Sequence, residues 1–493
     1  MKVRFAPSPT GHLHIGGVRT ALFNYLFVKN QDGQFILRIE DTDVSRSSKD
    51  MAEEIIAGLL WLGITWDEGP IYQSDRFEKY REAAYRLLEE GKAYRCFCTV
   101  EEIEARRKSP GVSDSGTGNN EGIYKYDRQC LNLTREQIGQ KLQQKIPYVI
   151  RFLIPEGKTY FKDAIHKEME TDNSQLEDFA LLKSDNSPTY HLSVVVDDSD
   201  MGITHVIRGD DHISNTFKQV QLFKALGLHP PKYAHLPLIL GPDKKKLSKR
   251  HGETSILEFK KNGYLPETMV NYLAQLSWLP ADSKKIFTME ELVKQFSLSK
   301  LSRSSPVFDY DKLRFLNSRV IQQKGAKELL GLLIENHDFV QEYASVSAEK
   351  KKALIDLVKP RMKTLADFEA KFNSYLKGEL NYCNSDLEKL NESYHHDDMI
   401  KNLKKFISRL AALDESCFTS NTIEMELRDC AADIGIDAAG LIHPARFALT
   451  SETVSPSIFD VFTFFGKEES IKRLSRFIDF LQGGMGRRPF TNV

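Results

Sequence analysis

Cysteine is scarce in this sequence: six in 493 residues, too few for the disulfide frameworks that hold small secreted domains together. Charge of one sign is missing as well. The 68 Lys and Arg residues are set against 69 Asp and Glu, so no global field announces a polyanionic partner, and any nucleic acid must be held by local basic surfaces. Nor is there an apolar run of the length a membrane-spanning helix needs, and Met1-Lys2-Val3-Arg4 leads into a strand-like segment with no signal-peptide core. A cytoplasmic protein without a membrane partner is expected. What the chain does have is length and an ordinary balance of 41% hydrophobic and 28% charged residues, which leaves little room for disorder and calls for several packed domains.

Lys2 to Phe5 alternates as a short strand and runs into Ala6-Pro7-Ser8-Pro9-Thr10-Gly11, a loop that Pro and Gly keep from being helix. A helix is predicted from about Gly16, with Val18, Ala21, Leu22, Tyr25 and Leu26 on its apolar face, and Asp32-Gly33 turns the chain into a strand at Phe35 to Ile39. Strand, helix, strand of this length reads as a parallel crossover unit. Helices are expected at Asp50 to Leu62 and Asp75 to Glu90, stopped by Gly63 and Gly91. From Ala93 to Tyr190 short strands such as Tyr148 to Phe152 alternate with irregular polar sequence. Ser109 to Asn120, rich in Gly, Ser and Asn, reads as a mobile loop, and the whole stretch reads as an insertion. Strands return at Thr204 to Arg208 and His235 to Leu240, on either side of a helix from Ser214 to Leu226, before a basic loop at Lys244 to Arg250. From about Lys261 onward nearly every segment is an amphipathic helix, Ala348 to Val358 and Met399 to Leu413 among them, with Gly and Pro mainly between helices.

Two loops carry the chemistry. Ala6 to Gly17 joins the C-end of a strand to the N-end of a helix, where amides face a crevice and glycines let phosphates approach the backbone. Alone it would also fit a tight turn with exposed histidines. Lys246-Leu247-Ser248-Lys249-Arg250 follows a later strand, and point charges on such a loop can follow phosphates as charge builds up on a leaving pyrophosphate. Alone it would also fit a solvated basic run. Together the two loops point to nucleotidyl transfer.

His14-Ile15-Gly16-Gly17 resembles the HIGH signature of class I aminoacyl-tRNA synthetases, and Lys246 to Arg250 resembles their KMSKS signature. Gly17 at the fourth position departs from the general class and is usual for the glutamyl branch. Arg4-Phe5-Ala6-Pro7-Ser8-Pro9-Thr10-Gly11, Arg38-Ile39-Glu40-Asp41-Thr42-Asp43, Pro188-Thr189-Tyr190-His191-Leu192 and His443-Pro444-Ala445-Arg446 with Ser455-Pro456 are similar to that branch, the bacterial glutamyl-tRNA synthetases. The resemblance implies an α/β Rossmann-like catalytic domain with an inserted α+β acceptor-binding domain, followed by an all-α anticodon-binding region. It divides the chain into a catalytic domain at 1–92 and 190–241, an acceptor-end insertion at 93–189, a stem-contact domain with the KMSKS-like loop at 242–325, and a helical anticodon region at 326–493 with a boundary near 380. The implied reaction is activation of L-glutamate by ATP with Mg²⁺ to glutamyl-adenylate, dependent on bound tRNA, then transfer to tRNA(Glu). Charging of tRNA(Gln) stays open, and a monomer is expected. The alternatives are a small-substrate nucleotidyltransferase, which the long helical back half argues against, and a non-catalytic RNA-binding relative, which intact Arg4, Arg208, Lys246 and Lys249 argue against.

By the same resemblance, His14, Gly16, Gly17, Lys246 and Lys249 are catalytic, and His14, Gly16, Asp211, Ile239, Lys246 and Lys249 hold ATP. Arg4, Ala6, Ser8, Glu40, Tyr190 and Arg208 hold glutamate, with Arg4, Tyr190 and Arg208 on the side-chain carboxylate and Ser8 and Glu40 on the α-amino end. The residues themselves agree in kind, since a ligand with two carboxylates needs fixed cations, and Arg4 and Arg208 fall at the C-ends of predicted strands. Glutamine would leave both arginines incompletely neutralised, at a cost on the order of several kcal/mol. Cys96, Cys98 and Cys130 are candidate zinc ligands. Asn132 stands where relatives with this site carry His, and Tyr126 stands where some paralogues recruit Tyr as the fourth ligand; three buried, inert thiols are the other reading. Within the basic stretch Lys359-Pro360-Arg361-Met362-Lys363, Arg361 stands for a family arginine that reads the last anticodon base.

Overall fold

The computed structural model describes residues 1–43, 46–107, 126–278, 286–336, 345–382 and 385–483; the stretch Ser109 to Asn120 lies outside them. Two compact units form, Met1–Glu258 with Met269–Asp309, and Phe259–Thr268 with Tyr310–Val493. The expected boundaries at 92, 189 and 380 fall inside a unit, and the expected stem-contact stretch 242–325 is shared between the two.

In the first unit, β1 (Lys2–Phe5) and β2 (Gln34–Ile39) run parallel, with Lys2 opposite Gln34 and Phe5 opposite Leu37, and the crossover between them is α1 (Ile15–Asn30). α2 (Lys49–Trp61) leads to β3 (Glu68–Tyr72), which adds in parallel to β2, and α3 (Phe77–Glu89) follows. Gly63 and Gly91 take left-handed backbone, at φ 72° and 70°, just past the ends of α2 and α3. α1 is less one-sided than its spacing predicts: Tyr25 is half-buried, whereas Phe23 and Asn24 are fully buried. Both faces of the helix are covered. Phe23 packs on Phe296 with 5.2 Å between ring centroids, and Asn24 Nδ2 donates to the Ile207 carbonyl at 2.9 Å.

The chain continues through β4 (Ala93–Cys96), α4 (Val100–Arg107), α5 (Arg135–Gln143), β5 (Val149–Phe152), β6 (Lys158–Asp163), β7 (Lys167–Asp172) and β8 (Ala180–Leu182). A second parallel crossover follows, built from α6 (Tyr190–Asp200), β9 (His205–Gly209), α7 (Ile213–Ala225) and β10 (Lys232–Leu236). β4, β5 and β8 make an antiparallel sheet of their own, as an insertion should. The β6–β7 hairpin does not stay with them: β6 lies parallel to β10, with Asp163 opposite Tyr233, so the hairpin widens the parallel sheet. β9 adjoins β1, where Thr204 N–H donates to the Lys2 carbonyl at 2.9 Å. The strand expected at His235 to Leu240 is displaced toward the N-terminus and ends at Leu236, because Pro237 has no N–H to give a ladder.

Among the described residues no strand follows β10, in keeping with the helical pattern of the back half. The helix Ala348–Val358 stands at the expected bounds, and the one expected at Met399 to Leu413 is His396–Ala412, burying Leu403, Phe406 and Leu410. Two helix breakers fall inside helices against expectation: Pro444 within Ala439–Thr450, and Gly466, at φ 77°, where Ile458–Gln482 kinks. Phe259–Thr268 belongs to the second unit through Gly263, whose carbonyl accepts the Leu365 N–H at 2.8 Å, and through Leu265, whose N–H meets Asn317 Oδ1 at 2.9 Å. Gly263 has φ 79°, and a Cβ there would collide with the backbone nitrogens of Leu365 and Ala366. Gly263→Ala is expected to destabilise the second unit by at least ~2 kcal/mol, read as a lower urea midpoint; an unchanged midpoint would contradict this packing.

Candidate active site

The loop between β1 and α1 and the loop after β9 open onto one cavity of about 1030 Å³. Its position beyond the C-ends of parallel strands is where open α/β sheets bind ligands. His14, Gly16, Gly17 and Lys246 line it, so the two signature segments, far apart in sequence, face the same space. Asp211 and Ile239 line it too, as do Arg4, Ala6, Ser8, Glu40, Tyr190 and Arg208. Lys249 opens a single helical turn, Lys249–His251, and its side chain lies outside the described residues.

His14 caps α1. Its Nδ1 accepts the N–H groups of Gly16 at 3.1 Å and Gly17 at 3.3 Å, which leaves the ring proton on Nε2. Burial lowers its pKa and the charge of Lys246 adds to that, so the ring is neutral. The amides of Gly16 and Gly17 thus turn to His14, and a Cβ at Gly16 would lie 3.0 Å from the imidazole. Lys246 Nζ meets Asp211 Oδ2 at 3.2 Å, which joins two of the residues expected around ATP.

Beneath the cavity, buried charges from several elements interlock. Asp198 on α6 takes Arg4 Nε at 3.1 Å and Arg38 Nη1 at 2.7 Å. Arg38 also reaches Glu40 Oε1 at 3.3 Å and Asp197 Oδ2 at 3.8 Å. Asp197 in turn accepts from Arg76 Nε and from the Tyr80 hydroxyl, each at 2.8 Å. Burial pushes the Glu40 carboxyl up against the pull of Arg38 and Arg4. Burial would raise Asp198 too, but Arg4 and Arg38 hold it below the ordinary aspartate range. Arg76 Nη2 also meets Asp200 Oδ2 at 2.5 Å, as Lys79 Nζ does at 2.7 Å, so Arg4, Arg38, Arg76 and Lys79 are matched by Asp197, Asp198, Asp200 and Glu40. Arg4, expected on the side-chain carboxylate of the ligand, lines the cavity and is also paired with Asp198.

Arg208 differs. It is 6% exposed, and its nitrogens meet Thr216 Oγ1 at 2.6 Å, Gln219 Oε1 at 2.8 Å, the Tyr190 hydroxyl at 3.2 Å and His235 Nε2 at 3.3 Å. Among the described residues it forms no ion pair with a carboxylate. Sequence reasoning missed Asp197 and Asp198, although two adjacent acids in a helix that also buries Leu192, Val194 and Val195 signal buried charge. It also missed His212, which lines the cavity and whose pKa is driven down to about 4 by burial and by Arg208.

Elsewhere in this unit the thiols of Cys96, Cys98 and Cys130 lie within 4.8 Å of one another. The Tyr126 hydroxyl stands 3.1 Å from Cys96 Sγ and 3.3 Å from Cys98 Sγ. In the second unit, Arg361, Lys363, Ser455 and Pro456 line a cavity of about 620 Å³. Arg446 donates through Nε to Ser455 Oγ at 3.1 Å, and burial and the charge of Arg361 lower its pKa, so Arg361, Arg446 and Ser455-Pro456 meet in one place.

Residues 1–315 match the family of class I tRNA synthetases (E and Q), catalytic domain. The chain belongs to that family. Residues 327–478 of this synthetase chain match an anticodon binding domain. The chain is 42% identical over 494 residues to glutamate–tRNA ligase 1 of Caldanaerobacter subterraneus subsp. tengcongensis, covering 98% of each protein. It is 45% identical over 480 residues to glutamate–tRNA ligase 2 of Koribacter versatilis, covering 97% of each. The crystal structure of a glutamate tRNA ligase from Elizabethkingia meningosepticum, in complex with its amino acid, resembles it with a TM-score of 0.80 at 32% identity, over 98% of this chain and 99% of that one. Asp198→Ala, which strands Arg4 and Arg38 together, is expected to cost the first unit about 3–5 kcal/mol in urea unfolding; a loss below ~1 kcal/mol would contradict the pairing.

Proposed function

We propose that the protein activates L-glutamate with ATP and Mg²⁺ and transfers the glutamyl group to the 3′ end of tRNA(Glu). One observation carries the choice of amino acid: Arg208 is buried and hydrogen-bonded on several sides, yet has no acid among the described residues. Glutamate, with two carboxylates and one ammonium, brings one net negative charge. The Arg4, Arg38 and Arg76 set is already balanced, so Arg208 supplies the matching positive charge for the side-chain carboxylate, beside Tyr190 and Arg4. Glutamine offers only a neutral amide there. Ser8 and Glu40 take the ammonium, and Ala6 lies against the substrate backbone.

No side chain serves as a nucleophile. The α-carboxylate oxygen of glutamate attacks the α-phosphorus, the bond to the bridging oxygen breaks, and pyrophosphate leaves. His14 Nε2–H, Lys246 and Lys249 meet the charge that develops on the phosphate oxygens, with Asp211 and Ile239 around the nucleoside. Activation waits for bound tRNA in this reading. Arg361 reads the last anticodon base from the cavity it shares with Ser455 and Pro456.

Cys96, Cys98 and Cys130 supply three soft donors for zinc, and Tyr126 a fourth. Burial and the Cys130 hydrogen bond push the Tyr126 phenol up, which makes it the weakest of the four. About one zinc per chain is expected after dialysis, with loss of metal in Cys98→Ser; a metal-free native protein would leave buried thiols. Purified tRNA(Glu) and tRNA(Gln) should be tested side by side. Glutamate charging of tRNA(Glu), with pyrophosphate exchange only when that tRNA is present, is the expected result. Absence of exchange with tRNA(Glu) would overturn the reading. Arg361→Gln is expected to gain charging of tRNA(Gln), and no gain would retire Arg361 as the reader.

A further inference from the structure

To receive a carboxylate, Arg208 must hold its guanidinium fork in one orientation, and two groups outside the cavity lining stand behind it. Asp163 closes β6 and His235 lies on β10; both are fully buried. Asp163 Oδ2 accepts the His235 backbone N–H at 3.0 Å and lies 2.7 Å from its Nδ1, while Oδ1 accepts the N–H groups of Ile165 and His166, each at 2.8 Å. A carboxylate on which four donors converge stays ionised and draws the imidazole proton to Nδ1. Nε2 then keeps a lone pair, which the Thr216 hydroxyl meets at 2.9 Å and Arg208 Nε–H faces at 3.3 Å. Guanidinium nitrogens only donate, so this contact requires the neutral ring. Burial lowers the His235 pKa against the pull of Asp163, which agrees with neutrality. Nη2 of Arg208 is engaged by Thr216 and Gln219, and Nη1 meets the Tyr190 hydroxyl with one hydrogen, which leaves its other hydrogen for a ligand.

We propose that His235, oriented by Asp163, is a positioning residue that aims the Arg208 fork and thereby sets the preference for a side-chain carboxylate over an amide. The proposal rests on the reading of Arg208 as the side-chain site. It also gives the β6–β7 hairpin a reason to join the parallel sheet, since the pairing of β6 with β10 brings Asp163 to His235.

Two variants separate aiming from packing. His235→Asn keeps a donor for Asp163 but has no atom where Nε2 stands, and His235→Gln places an amide oxygen there. KM for glutamate is expected to rise about tenfold or more in His235→Asn, with KM for ATP and kcat at saturating glutamate within about twofold, while His235→Gln stays within about threefold of wild type. A packing role would reverse the order, because Asn is the variant that keeps Asp163 satisfied. In an Arg208→Lys background, which lacks Nε–H, His235→Asn should add nothing further. Additive effects, or Asn tolerated better than Gln, would overturn the proposal. Should His235→Asn not fold, ¹⁵N NMR of histidine-labelled wild-type protein decides: a proton on Nδ1 and a bare Nε2 are expected at neutral pH, and a proton on Nε2 would overturn it. Wild-type charging of tRNA(Glu) is read in the same assays. Its absence would remove the function reading, whereas normal charging with indifferent His235 variants would remove only this inference.

Discussion

Arg4 and Arg38 reach the base of the cavity from neighbouring parallel strands, and a single buried aspartate, Asp198, lies between them. Taking such charges out of water costs several kcal/mol each, so they persist only where the fold delivers partners of opposite sign with good geometry. β1, β2, α6 and the segment that enters α3 all contribute to that network. Its balance is what gives Arg208 its meaning. With Arg4, Arg38 and Arg76 matched inside the protein, Arg208 on β9 is left facing uncharged groups beside Tyr190, while Arg19, also buried in the cavity lining, donates to Ser277 and to the Pro237 carbonyl.

The signature loops carry a second constraint. The adjacency of His14 to Gly16 and Gly17 is local, and it fixes the imidazole as a helix cap with its proton outward. A side chain at Gly16 would come within 3.0 Å of that ring, a reason for glycine there besides any approach of a phosphate to the backbone. The same geometry makes His14 a hydrogen-bond donor to the cavity, the form suited to a developing anion.

The order of strands and helices was legible because it rests on local pattern: Pro and Gly in the loop after Phe5, the apolar spacing through Leu26, the stops at Gly63 and Gly91. The cysteine cluster was legible for a related reason, since Cys96 and Cys98 are neighbours and Cys130 and Tyr126 lie on one short segment. What depends on tertiary pairing was not. Arg4 and Asp198 are 194 residues apart, so no spacing rule connects them. The parallel contact between β6 and β10 brings Asp163 to His235 across 72 residues, and by local pattern alone the hairpin reads as part of an insertion. The end of β10 turned on one missing N–H at Pro237, and the coverage of Phe23 on α1 depended on Phe296 far along the chain.

In the proposed reaction Arg208 is the charge that selects a side-chain carboxylate. Comparing kcat/KM for glutamate and glutamine in wild-type protein and in Arg208→Gln, with tRNA(Glu) present, tests it most directly. The preference for glutamate is expected to collapse by roughly a hundred- to a thousandfold in the variant, the factor that corresponds to one unpaired buried charge. A variant that still discriminates as well as wild type would contradict it.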